Sequence, residues 1–73
     1  MPRRDPITEA QTRVLEMLRE HKRKGKPMPT QREIADHFGW ASVNSAAVKL
    51  RVLVKKGYIR MARDKVRAIE VLA

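Results

Sequence analysis

Seventy-three residues make one small domain, because at this length folding removes only about 60% of the unfolded chain's surface from water and leaves no room for a second core. Seventeen Lys and Arg against eight Asp and Glu give a formal net charge of +9, which points to a polyanionic partner. Cysteine is absent, so disulfide and thiol chemistry are excluded. No run approaches the roughly 20 apolar residues of a membrane span or forms a signal-peptide core, so the expectation is a cytoplasmic protein with no membrane partner.

Met1 to Pro6 carries two prolines and two arginines without periodicity and reads as a flexible basic arm, residues 1–6, ahead of a domain over 7–73. Thr8 followed three residues later by Gln11 is a capping-box signature. Ala10, Val14, Met17, Leu18 and His21 then recur at helical spacing, which predicts a first helix from about Thr8 to Lys24. His21-Lys22-Arg23-Lys24-Gly25 closes it, with cations at the negative end of the helix dipole and a glycine where the chain leaves. Lys26-Pro27-Met28-Pro29 forces an extended connection.

Thr30 and Glu33 form a second capping box, Ile34, Ala35 and Phe38 an apolar stripe, and Gly39 a stop, predicting a helix of about two turns. Ser42 is the expected N-cap of a third helix spanning about Val43 to Lys56, in which Ala46, Leu50 and Leu53 repeat on one side. Beyond Gly57, the segments Tyr58 to Met61 and Val66 to Leu72 read as strands around the polar stretch Arg63-Asp64-Lys65. The predicted order is α-α-α-β-β, a mainly α fold with a small β-hairpin.

Two capped helices joined through Gly39-Trp40-Ala41-Ser42 have the spacing of a helix-turn-helix, and a basic hairpin after the third helix makes it a winged one. Asn44, Val48, Arg51 and Lys55 fall opposite the packed side of the third helix. Any amphipathic helix has a polar outer face, so the assignment rests on what flanks this one. Its first turn holds short polar side chains and its later turns hold Lys49, Arg51, Lys55 and Lys56, an order suited to reading bases first and gripping phosphates afterwards. The expected base-reading residues are Ser42, Asn44, Ser45, Ala47 and Val48. Those expected on the DNA backbone are Thr30, Gln31, Arg32, Lys49, Arg51 and Lys55.

Asn44 suits bidentate pairing with adenine, and equally a hydrogen bond at the helix start. Val48 and Val52 suit thymine methyl groups and equally packing against the hairpin, with packing favoured for Val52. Arg60, Arg63, Lys65 and Arg67 make the hairpin strongly positive, fit for a narrow minor groove or phosphates and also for protecting a sheet edge. Trp40 is expected as a plug between helices, His21 as a cap on the first helix, and His37 at the polar edge of the second. Ser42 and Ser45 lack a convergent base, and the two histidines lack metal-ligand company. No catalytic residue, metal, cofactor or small-molecule ligand is therefore expected.

From Pro6-Ile7-Thr8 to Leu72 the chain resembles the DNA-binding domain of the LexA repressor family. The resemblance is carried by Thr8 to Leu15, by Pro29-Thr30-Gln31-Arg32-Glu33-Ile34-Ala35 with Phe38-Gly39-Trp40, by Ser42-Val43-Asn44-Ser45-Ala46, and by Leu50 to Ile59. It implies a winged helix and a DNA-reading role for Ser42, Asn44 and Ser45. Family members that respond to DNA damage usually carry two acidic residues after the Ser-x-Asn-x-Ala stretch; Ala47 and Val48 stand here instead, which implies a different operator. The family also continues into a self-cleaving serine-lysine peptidase domain, so the expectation for these 73 residues is a LexA-like repressor lacking it, monomeric alone and pairing as two copies on a two-half-site operator. The alternative is a small phage or mobile-element winged-helix protein that acts by binding a host regulator or polymerase. RNA fits less well, because side chains do not readily enter the narrow major groove of A-form helices.

Overall fold

The computed structural model describes residues 6–61 and 69–72. Three helices, α1 (Glu9–Arg23), α2 (Gln31–Phe38) and α3 (Val43–Lys55), are followed by strands β1 (Ile59–Met61) and β2 (Ile69–Val71). This is the expected α-α-α-β-β order. Both capping boxes form: the Thr8 hydroxyl accepts the Gln11 N–H at 3.2 Å while Gln11 accepts the Thr8 N–H at 3.0 Å, and Thr30 and Glu33 do the same at 3.1 and 2.8 Å. Each box satisfies two donors that a helix start otherwise leaves open. Thr30→Ala is therefore expected to cost about 1 kcal/mol, lowering the melting temperature by roughly 4–8 °C in a thermal unfolding scan.

The core joins all five elements: Val14, Leu15 and Leu18 from α1, Ile34 and Ala35 from α2, Ala46, Leu50 and Leu53 from α3, and Ile59, Ile69 and Val71 from the strands. Burying each of the larger side chains stabilises the fold by about 1.5–3 kcal/mol, before the entropy of ordering is subtracted. The α3 stripe is the expected one, and α3 packs against α1, α2 and β1. The α1 stripe is rotated from the expected one. Leu15 is buried, whereas Ala10, Met17 and His21 are only partly so. His21 does not cap α1 either: its ring donates from Nδ1 to the Pro27 carbonyl oxygen at 2.9 Å, bracing the extended link that brings the fully buried Pro29 to the core.

The strands are antiparallel, with Ile59 opposite Val71, Arg60 opposite Glu70 and Met61 opposite Ile69. Period-2 alternation turns Ile59, Ile69 and Val71 inward and Arg60 and Glu70 outward. The expected strand start at Val66 lies outside the described residues. Two lysines hold backbone near the edges of the described residues: Lys22 donates to the Val71 carbonyl at 3.2 Å, and Lys56 to the Pro6 carbonyl at 2.6 Å.

Candidate nucleic-acid interface

A reader helix needs a rigid turn before it. Gly39 ends α2 in the left-handed region at φ 73°, a conformation that costs glycine little and any other residue more. That geometry lets the Trp40 N–H return to the Ala35 carbonyl at 2.9 Å, which points the chain toward Ser42. Ser42 is the N-cap of α3, its hydroxyl accepting the Asn44 N–H at 3.1 Å. The turn is thus held by backbone and cap hydrogen bonds at both ends.

On α3, Asn44, Val48, Arg51 and Lys55 are all exposed and, at 100° per residue, share an arc of about 60°. Val48 is 42% exposed, so it leaves a methyl-bearing surface amid polar groups. No group among the described residues takes up the Asn44 carboxamide; its backbone N–H, rather than its side chain, makes the helix-start bond. Ser42 is exposed, while Ser45 and Ala47 are half-buried on either flank of that arc. At the start of α2, Arg32 is exposed, Gln31 half-buried, and the Thr30 hydroxyl is engaged in its capping box.

Three cations sit differently from the expected arrangement. Lys49 is about 120° around α3 from the Asn44–Lys55 arc, and its ammonium lies 4.3 Å from the centre of the Trp40 ring. Lys56, beyond the last turn, faces back to Pro6 rather than outward. Arg60 is paired with Glu70 directly across the strands, so part of its charge is neutralised within the hairpin. Arg63, Lys65 and Arg67 lie outside the described residues. Trp40 packs against the core as expected, stacked on Phe38, and His37 is exposed with its ring edge-on to Phe38. Sequence periodicity holds no signal for these contacts: Lys56 meets Pro6 fifty residues away, and Lys49 and Arg60 meet partners nine and ten residues off across a turn and a hairpin, outside any helical or strand period.

Other surfaces carry different chemistry. On α1 the Glu20 carboxyl is held below the usual carboxylate range, first by its hydrogen bond to Arg23 and then by that to Lys24, so these cations are partly spent on their own helix. An open groove of about 720 Å³ between α1 and the end of α2 has Met17 and Phe38 along it, and α3 contributes nothing to its lining. Among the described residues no three His, Asp or Glu side chains are placed to hold a metal ion, and no helix is long and apolar enough to cross a membrane.

Comparison with known proteins agrees with this geometry. The chain is 41% identical over 66 residues to a LexA repressor of Alcanivorax borkumensis, covering 90% of this chain and 32% of that protein. It is 44% identical over 68 residues to a LexA repressor of Frankia alni, 92% of this chain and 26% of that one. A LexA repressor of Bifidobacterium longum is 40% identical over 72 residues, 99% of this chain and 30% of the repressor. The chain thus spans about a third or less of the length of these curated relatives. Residues 4–68 match the LexA DNA binding domain, and the chain belongs to that family.

Proposed function

We propose that this domain binds double-stranded DNA sequence-specifically as the reader of a LexA-like transcriptional repressor, with α3 in the major groove. The observation that carries this is the exposed arc of Asn44, Val48, Arg51 and Lys55 behind a rigid, capped turn. Ser42, Asn44, Ser45, Ala47 and Val48 meet base edges. Thr30, Gln31 and Arg32 meet phosphates beside the start of α2, and Arg51 and Lys55 meet them further along α3. Arg63, Lys65 and Arg67 extend the grip through the wing, with Arg60 contributing less because of Glu70. The basic arm read over residues 1–6 lies outside the described residues apart from Pro6, whose carbonyl Lys56 holds. Binding, rather than catalysis, is the chemistry these residues carry.

The Asn44 carboxamide, which no group among the described residues takes up, supports an adenine contact, since a side chain tied up at the helix start would have no donor and acceptor to offer together. The exposed Val48 supports a thymine methyl contact, and the departure at Ala47 and Val48 from the acidic pair that the family resemblance implies supports an operator of different sequence. One such domain reads only a few base pairs, so two copies on half-sites about one helical turn apart supply the specificity.

Selection of bound sites from a random duplex library tests this, with a defined motif in paired half-sites as the expected result; recovery of random sequence would overturn specific recognition. On the selected duplex, Asn44→Ala is expected to lose about 1–3 kcal/mol and to relax preference at one position only. An equal loss on selected and random DNA would remove Asn44 from the base-reading set.

A further inference from the structure

The placement of Lys49 has a cause in the turn that precedes its helix. Its ammonium is 4.3 Å from the centre of the Trp40 ring. The indole is itself stacked on Phe38, with centroids 4.9 Å apart and planes 21° from parallel, and Phe38 meets the edge of the His37 ring at 4.7 Å. The column is fastened below, because Phe38 and Trp40 both pack on the core and the Trp40 N–H is bonded to Ala35. The indole is therefore a fixed platform and the lysine is the movable part. A lysine on a helix surface samples many rotamers and loses that freedom when it grips a phosphate. Attraction to the ring face selects the rotamers that keep the ammonium beside α3 before any ligand arrives. The ring engages the charge of the ammonium, which has three N–H donors, so donors remain for an oxyanion.

We propose that Trp40 is a positioning residue for DNA binding: it holds the Lys49 ammonium on the turn-facing flank of α3, preset for a backbone phosphate at the edge of the groove that the Asn44–Lys55 arc enters. This rests on the DNA-binding reading above. Trp40 touches no DNA itself; it acts through Lys49. The sequence alone places Lys49 among the phosphate contacts without saying what orients it, and Trp40 among core plugs without a part in binding.

The test is a double-mutant cycle on the 73-residue chain, with Trp40→Leu, Lys49→Met and the double variant, plus Trp40→Phe as the conservative change. Affinity for the selected duplex is measured across a salt series, with thermal unfolding as a fold control. Lys49→Met is expected to make the log-log salt slope shallower by about 1, because one phosphate contact is lost. Trp40→Leu should weaken binding about three- to fivefold when Lys49 is present and not at all when it is combined with Lys49→Met, while Trp40→Phe keeps most of the affinity. A merely structural role for Trp40 predicts equal losses with and without the lysine. Equal losses, or an unchanged slope for Lys49→Met, overturn the proposal while leaving DNA binding intact. Tighter binding by Trp40→Leu overturns it as well, since Lys49 would then have to leave the ring to reach DNA. Failure of the wild-type chain to bind duplex DNA removes the DNA-binding reading and the positioning role together. If Trp40→Leu does not fold, the wild-type protein decides: the Lys49 ε-methylene resonance should be ring-current shifted both free and on the duplex, and loss of that shift on the duplex overturns the proposal.

Discussion

Raising the salt concentration from about 50 to about 200 mM should weaken binding to the selected duplex by roughly two and a half to three orders of magnitude. The expectation follows from counting cations placed to displace counterions. Arg32, Arg51 and Lys55 are exposed, Lys49 is held on the flank of α3, and Arg63, Lys65 and Arg67 are assigned to the wing by the sequence. Arg60 counts for less because Glu70 faces it, and Arg23 and Lys24 for little because Glu20 holds them on α1. On the order of 4 to 6 of these seven cations meeting phosphates gives a log-log slope near −4 to −5. Fluorescence anisotropy of a labelled duplex over four or five salt concentrations measures it. A slope shallower than about −2 would mean that the formal charge of +9 is not concentrated where α3 and the wing meet DNA.

Leu50→Ala should cost about 2–5 kcal/mol, the range for deleting a fully buried leucine side chain. Leu50 is 1% exposed and lies in the stripe by which α3 packs against α1, α2 and β1, so the hole has no solvent side from which to relax. A domain of this size holds roughly 4–11 kcal/mol in total. The variant should therefore melt at least about 10 °C lower and lose DNA binding at temperatures where the wild-type domain still binds. Circular dichroism melts of the two proteins measure the shift. A fall of less than about 3 °C would show that the three helices do not share one core around this residue.

The identity and limits of the helices were legible because their signals are local. Thr8 with Gln11, Thr30 with Glu33, Ser42 before α3 and Gly39 after α2 act through hydrogen bonds or dihedrals within three or four residues, and each appears where the spacing placed it. The buried side of α3 was legible for the same reason, as Ala46, Leu50 and Leu53 recur with the helical period. On α1 periodicity was not enough. Val14 and Leu18 lie at the middle of an apolar arc wide enough to include Leu15 on one edge and Met17 on the other. Which edge turns inward depends on how α3 and the hairpin sit against the helix.

The same division runs through the candidate interface. Asn44, Val48, Arg51 and Lys55 could be placed on one outer face from their spacing, since a helix fixes the angle between its own residues. The partners of the long cations could not. Lys49 turns to Trp40, Lys56 to Pro6 fifty residues away, Lys22 to Val71 and Arg60 to Glu70. A lysine or arginine side chain reaches several ångströms in many directions, so its choice is made by whichever ring, carbonyl or carboxylate the packed elements bring within range. Sequence by itself determined the element order, the caps and the outward face of α3, all properties of short stretches of backbone. Only the tertiary structure decided which edge of α1 is buried and which ring, carbonyl or carboxylate each of these long cations meets, because both depend on distances between segments that no local pattern encodes.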